Sequence, residues 1–246
     1  MYEKVISKRM NFLRKVPLFA AFREEDLRAL SEAFHARHYR KKEIIFYQED
    51  DTHDFNLIMS GKVRIFCYSP SGNETTIRVL VPHEMLGEFA SIDEHPRSTT
   101  AQAITDCTLL RLRQERFSRY LREMPDFATT MLRLLVQKLR WTTEYAEAMA
   151  QYDIGGRLLH VILYYNTKIG REIEKNKCYE VKLGLNQGDL SSMVGARREW
   201  VNRLFCQWRK QGLVTLSHGT INILDLPAVE AERDRRIGSF SENDRW

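Results

Sequence analysis

The chain has 246 residues, 43% hydrophobic and 29% charged, with 12 Gly and 6 Pro. That is room for two domains, each with its own core, and it excludes a peptide hormone, a disulfide mini-protein, a collagen-like chain and a disordered one. The formal net charge of +5 is unevenly spread, with 23 Lys and Arg against 22 Asp and Glu in residues 1–154 but 11 against 5 in residues 155–224, so the carboxyl-terminal part is the part expected to meet a polyanion, nucleic acid foremost.

No stretch approaches the roughly 20 uncharged apolar residues of a membrane span, and Met1 to Lys15 lacks the apolar run of a signal peptide; the expected compartment is the cytoplasm, with no membrane partner. Cys67, Cys107, Cys178 and Cys206 form no CxxC pair, and the 7 His show no ligand spacing. Buried free thiols and no metal are the expectation.

From Arg23 to Phe34 the apolar residues Leu27, Leu30 and Phe34 recur at three and four behind the acidic turn Glu24, Glu25 and Asp26, which predicts a short amphipathic helix. The period then changes. Residues 44–46, 55–59, 63–68 and 76–80 are short runs rich in β-branched and aromatic side chains, punctuated by Ser60-Gly61-Lys62 and Pro70-Ser71-Gly72-Asn73. Antiparallel strands at about ten-residue spacing, continuing from Ala101 to Arg113, read as a small barrel or sandwich of jelly-roll type. The cluster Asp50, Asp51, His53 and Asp54 falls between strands and reads as a solvated loop.

After Pro125 no Gly or Pro interrupts the chain until Gly155. Leu132, Leu135, Val136, Leu139, Thr142, Thr143, Ala146 and Met149 follow steps of three and four, predicting one helix of about 25 residues whose stripe serves either a core or a twin helix in a dimer. Gly155-Gly156 is the expected hinge, followed by a helix over 157–167, a charged connection over 168–177 and a strand over 179–183. Asn186 then stands as an N-cap with Asp189 three places on, a turn falls at Val194-Gly195-Ala196, and a second helix starts at Arg197-Arg198-Glu199 with Val201, Leu204, Phe205 and Trp208 as its buried face. Two short helices around a Gly turn make a helix-turn-helix, and the hairpin 213–216/220–223 makes it winged. Residues 229–236 read as a charged helix and the end of the tail as disorder. No GxSxG, HExxH, P-loop or GxGxxG occurs, so nothing points to an enzyme.

Between the strands and the long helix lies Gly87-Glu88-Phe89-Ala90, followed by Pro96-Arg97-Ser98-Thr99 with the Arg nine residues after the Glu. This segment resembles the phosphate-binding cassette of cyclic-nucleotide-binding domains. A buried cyclic phosphate needs a fixed cation and short-range donors, here Arg97 and Ser98, and a ribose hydroxyl needs a carboxylate acceptor, here Glu88; Gly87 lets backbone approach the sugar. Phe89 and Thr99 belong to the same candidate site.

The resemblance extends from Val16-Pro17-Leu18-Phe19 through Gly61-Lys62-Val63 to Leu226, and it is to the cyclic AMP receptor protein and FNR (Crp/Fnr) family of bacterial transcription regulators. It implies an α+β chain divided into a sensor barrel (1–124), a dimerisation helix (125–154), a winged helix-turn-helix (155–226) and a tail (227–246). It also implies a homodimer, a cyclic nucleotide effector, double-stranded DNA with two-fold symmetry and RNA polymerase as partners. Thr142 and Thr143 look like the polar pair that touches the adenine, one from each subunit. In the recognition helix Arg198, Glu199 and Arg203 match the family's Arg-Glu and a following Arg; such Arg side chains donate to guanine and Glu accepts from cytosine, so a G·C-containing half-site is implied. Asn186, Gln187, Arg197, Trp200 and Asn202 complete the candidate DNA surface. Arg197 and Trp200 depart from the family's usual Ser or Thr, leaving open whether Trp200 meets a thymine methyl or packs inward. Glu88 and Arg97 would hold the ribose phosphate of cyclic AMP and cyclic GMP alike, with cyclic AMP favoured. A different or absent effector, or a regulatory module acting away from DNA, are the competing expectations.

Overall fold

Ile6, Met10 and Leu13, four and three residues apart, place one buried face on an opening helix, α1 (Tyr2–Leu13), which the charged pairs Glu3-Lys4 and Lys8-Arg9 conceal in the sequence. The computed structural model describes residues 2–20, 22–70 and 72–238. Two units divide the chain, Met1–Asn73 with Ile77–Arg140 and Glu74–Thr76 with Trp141–Trp246.

In the first unit, a 3-10 turn at Pro17–Phe19 leads to α2 (Glu24–Ala33), the predicted amphipathic helix, with Leu27 and Leu30 buried. Strands β1 (His35–Tyr39), β2 (Ile44–Phe46), β3 (Phe55–Ser60), β4 (Val63–Tyr68), β5 (Glu74–Leu80) and β6 (Met85–Leu86) follow, then a short helix α3 (Glu88–Asp93), β7 (Thr100–Ala103), β8 (Cys107–Leu112) and α4 (Gln114–Glu123). They form two four-stranded sheets ordered β1-β8-β3-β6 and β2-β7-β4-β5. Ile58, Leu86 and Leu109 from one sheet meet Phe46, Val63, Leu80, Ala101 and Ala103 from the other in a shared core, which is the predicted jelly-roll arrangement. A second core joins the outer face of the first sheet to the helices, with Phe55, Leu57, Leu110 and Leu112 packed among Phe19, Leu30, Phe117 and Phe127.

The long helix, α5 (Pro125–Gln151), has the predicted extent, but its apolar residues lie on two faces. Met131 and Leu134 are buried in the helical core. The stripe conspicuous in the sequence faces outward instead, with Leu132 64%, Val136 49% and Leu139 66% exposed.

In the second unit, the pair Gly155-Gly156 does not interrupt the chain. Both glycines lie buried in the first turn of α6 (Ile154–Ile169), and the break falls at Asp153, whose side chain caps that helix. The segment expected as a charged connection contains β9 (Arg171–Glu174), an exposed edge strand without alternation, paired to β10 (Cys178–Lys182). Helices α7 (Gln187–Val194) and α8 (Arg198–Lys210) and the strands β11 (Val214–Ser217) and β12 (Thr220–Ile223) follow as expected, giving a sheet ordered β11-β12-β10-β9. Residues after 226 begin as part of the fold and not as a tail: α9 (Leu226–Asp234) is capped by Asp225, buries Val229 and packs on α6. The end expected to be disordered lies outside the described residues. Of the four free cysteines only Cys107 is buried, and Cys206 on α8 is exposed.

Candidate functional site

Two elements bring the cassette together. β6 ends at Leu86, Gly87 follows as the N-cap with a φ of 85° in the left-handed region, and α3 begins at once with Glu88. The loop after α3 returns Arg97, 3% exposed, to the same spot. There the guanidinium donates from Nη1 to the Gly87 carbonyl (2.9 Å), from Nη2 to the Asp54 carbonyl (2.8 Å) and from Nε to Thr52 Oγ1 (3.1 Å), and it lies over the Phe46 ring at 4.3 Å. A Cβ on Gly87 would stand 2.5 Å from Nη1 and 2.8 Å from the Asp54 carbonyl, so glycine is required for close approach as well as for its φ. Burial pulls the Arg97 guanidinium below its ordinary value, while the charges of Asp54 and Glu88 pull the other way. A guanidinium carries five N–H groups; three are engaged, and two remain for an anion.

Glu88, 2% exposed, is the second buried charge. Its Oε1 accepts from Lys138 Nζ on α5 at 2.5 Å, and its Oε2 is buried with no hydrogen-bond partner. Lys138 also donates to the Met85 carbonyl (3.1 Å) and sits 5.6 Å over the ring of Phe89, which is 48% exposed. A buried carboxylate oxygen lacking a donor beside an arginine with uncommitted N–H groups fits a ligand that carries a hydroxyl and an anionic phosphate.

Gly87, Glu88 and Arg97 therefore converge as the sequence predicts. Ser98 is exposed, its carbonyl accepting from the Cys67 thiol at 3.6 Å, and Thr99 is half-buried. Thr142 and Thr143 are exposed on α5. Lys138, Phe46 and Thr52 carry no site assignment from the sequence, and Asp54 is expected there only as part of a solvated loop. Asp54 is no solvated loop residue: besides its carbonyl's bond to Arg97, its carboxylate pairs with Arg111 and accepts the Gln114 N–H. Lys138 had a signal, since it follows Met131, Leu134 and Leu135 at i+7, i+4 and i+3 on the inward face of α5.

The second constellation is built on α7 and α8. Asn186 Oδ1 accepts from the Gly188 and Asp189 N–H groups (2.7 and 3.1 Å), and Asp189 returns the bond to the Asn186 N–H, a complete capping box. Gly195 ends α7 in the left-handed conformation, and Arg197 stands as the N-cap of α8. Val201, Leu204, Phe205 and Trp208 are buried as predicted, which turns Arg198, Glu199, Asn202 and Arg203 to the exposed side. Gln187 Nε2 donates to Asn202 Oδ1 at 3.1 Å, tying the two helices. Trp200 is half-buried. At the hairpin tip His218 and Gly219 both have positive φ, as a two-residue turn requires. Among the described residues no group of three or more His, Cys, Asp or Glu is arranged to hold a metal ion, and no helix is long and apolar enough to cross a membrane.

A cyclic nucleotide-binding domain profile matches residues 36–124, and a Crp-like helix-turn-helix domain profile matches residues 156–232. One chain carrying both is a transcription regulator of the ligand-binding, helix-turn-helix class. The chain is 28% identical over 214 residues to a cyclic AMP receptor protein of Thermus thermophilus, covering 87% of this chain and 95% of that protein. It is 24% identical over 213 residues to a CRP-like cAMP-activated global transcriptional regulator of Mycobacterium tuberculosis, covering 87% and 94%. Among solved structures, a CooA variant from Carboxydothermus hydrogenoformans shares the fold with a TM-score of 0.72 at 21% identity, covering 92% of this chain and 99% of that one. The chain belongs to the Crp/Fnr family of transcription regulators.

Proposed function

We propose that this regulator is a homodimer whose affinity for a two-fold DNA operator is set by cyclic AMP. The observation that carries the effector reading is the buried, partnerless Oε2 of Glu88 beside Arg97. Glu88 accepts the ribose 2′-hydroxyl, two N–H groups of Arg97 with Ser98 hold the cyclic phosphate, Gly87, Phe89 and Thr99 line the site, and Thr142 and Thr143 take the adenine. Similarity to a cyclic AMP receptor protein and to a cAMP-activated regulator supports cyclic AMP over other nucleotides. The exposed Leu132, Val136 and Leu139 support pairing through α5, because a contiguous apolar helix stripe is buried by a matching one.

Arg198 and Arg203 donate to guanine O6 and N7 and Glu199 accepts from cytosine N4, each good contact giving about 1–3 kcal/mol of discrimination. Arg197, Asn186, Gln187, Trp200 and Asn202 flank them. Two copies of α8 related by a dyad read half-sites about 34–36 Å apart. Ligand that binds the DNA-competent arrangement more tightly raises operator affinity by the same ratio. RNA polymerase is the partner through which such binding acts on transcription.

Calorimetric titration with cyclic AMP and cyclic GMP tests the reading. Micromolar cyclic AMP binding by the wild type, lost in Arg97→Ala and weaker for cyclic GMP, is expected. Absence of heat with both nucleotides overturns the effector while leaving the DNA assignment to a separate shift assay, in which Arg203→Ala is expected to weaken binding.

A further inference from the structure

The turn between α5 and α6 is held by the C-terminal segment through both backbone and side chains. Tyr152 and Ile237 form an antiparallel bridge, the Asp153 N–H donates to the Arg236 carbonyl (3.2 Å), and the Gly238 N–H donates to the Gln151 carbonyl (2.9 Å). The Arg236 guanidinium binds Asp153 Oδ2 through Nη1 (3.0 Å) and Glu232 Oε1 through Nε and Nη2 (2.9 and 2.8 Å). Asp153 Oδ1 meanwhile accepts the Gly156 N–H at 2.7 Å, which starts α6. One carboxylate thus both caps the helix and anchors the strap, and all three charged side chains are at least four-fifths buried.

The glycine pair gains its explanation here. A Cβ on Gly155 would collide with the Arg236 guanidinium, and one on Gly156 would stand 2.8 Å from Tyr152 Cβ and 3.0 Å from Arg236 Cβ. The pair is a seat for an arginine, not a break in the chain. Arg236 Cζ also lies 6.0 Å from the ring centroid of Trp208, a fully buried residue of α8. From the other side, the Tyr145 hydroxyl donates to the Met193 carbonyl near the end of α7, and Trp141 lies 6.2 Å from Tyr164 of α6. The last turns of α5 are therefore fastened to the reading head at both flanks. Arg236 lies beyond residues 156–232, which match the helix-turn-helix profile.

We propose that residues 232–238 act as a clasp that fixes the angle between the end of α5 and the reading head, with Arg236 as its positioning residue and Gly155-Gly156 as its seat. Bending at Tyr152-Asp153 takes the Asp153 carboxylate from the Gly156 N–H and from Arg236 together, leaving the buried Arg236 guanidinium with Glu232 alone. The joint therefore has a closed state and an open one, and not a continuum of bent ones. Resting on the reading above that cyclic AMP alters DNA affinity, the clasp is what makes the end of α5 and the recognition helices move as one body, so that opening it loses the effector's gain.

The test uses full-length wild type, Arg236→Ala, Gly155→Ala, the double variant, and Arg171→Ala on β9, outside the clasp, as a control whose side chain is 68% exposed. Hydrogen exchange at the amides of residues 153–157 is measured together with affinity, with and without cyclic AMP, for a duplex selected from a random library on the wild type. Arg236→Ala and Gly155→Ala are each expected to speed exchange about tenfold or more, and Arg171→Ala to leave it unchanged. In the Arg236→Ala background Gly155→Ala adds nothing, because the collision exists only with the guanidinium. The cyclic AMP gain in DNA affinity, about 5–150-fold for typical coupling, falls toward unity while cyclic AMP affinity stays at the wild-type value. Wild-type exchange in Arg236→Ala, or additive effects of the two substitutions, overturns the clasp. A wild type without any cyclic AMP gain overturns the effector reading instead, and exchange and non-additivity then decide the clasp alone.

Discussion

Replacing Lys138 with Met keeps the apolar stem and removes the ammonium that neutralises Glu88. The pair is tight, at 2.5 Å, with 3% of the Glu88 side chain and 22% of the Lys138 side chain exposed. Removing one partner of a fully buried pair costs about 3–5 kcal/mol, because the other charge stays buried and alone. Partial exposure of Lys138 admits water, so the lower end, about 3 kcal/mol, is expected. Removing both charges with Lys138→Met and Glu88→Gln leaves a neutral amide and costs about 1 kcal/mol, so the two substitutions are non-additive. At about 2–4 °C per kcal/mol, the single variant melts about 6–12 °C below the wild type and the double variant recovers most of the loss. Scanning calorimetry on the four proteins of the cycle measures this. Lys138→Met melting within about 1 °C of the wild type, or strict additivity, refutes the argument that this lysine neutralises the buried carboxylate.

Gly87→Ala places a Cβ 2.5 Å from Arg97 Nη1 at a φ of 85°, so cyclic AMP affinity falls about tenfold or more, with a stability loss of about 2 kcal/mol; calorimetric titration reading wild-type affinity counts against the cassette geometry. Leu132→Glu with Leu139→Glu puts four like charges where two copies of α5 would meet, and sedimentation at micromolar concentration is expected to show monomer; a persistent dimer rules out this face. His160, beside the Tyr152 ring, is driven below its ordinary value first by burial and then by Arg233. The unfolded chain takes up a proton at about pH 6.5 and the folded one only lower, so stability is lost as pH falls below about 6.5. His160→Phe is expected to flatten that dependence in urea titrations at pH 7.5 and 5.5, and an unchanged slope shows that another group controls it.

Legibility in the sequence followed the physics of each element. The reading head was legible down to single residues, because its caps and buried face are set within one or two helical turns: Asn186 and Asp189 close the box, and Val201, Leu204, Phe205 and Trp208 are the buried set. The strands were legible where β-branched and aromatic residues concentrate, and β9 was missed because all four of its residues are exposed and nothing alternates. On α5 the visible stripe was the outward one, while the inward stripe ends in Lys138, whose role needs Glu88, fifty residues away. The same holds for Asp54 and Arg97, forty-three apart. Local pattern reveals which residues are charged; it does not reveal which distant backbone carbonyl a guanidinium will reach.

Two pairs share one physical device. Gly87 with Arg97 in the first unit, and Gly155 with Arg236 in the second, each place a planar guanidinium where a Cβ would otherwise stand. A buried arginine needs acceptors in the plane of its fork, and backbone carbonyls or a capping carboxylate supply them only if the chain passes close by, which the missing side chain permits. Gly212 separates this from simple backbone strain: its φ is 70°, and a Cβ there meets nothing within 4 Å. Gly212→Ala therefore carries only the left-handed penalty of about 1–2 kcal/mol, while Gly87→Ala carries that and the displacement of Arg97. Equal losses from the two substitutions, by urea unfolding of each, exclude the guanidinium as the reason for the glycine at 87. An excess at Gly87 that vanishes in an Arg97→Ala background assigns it to the arginine.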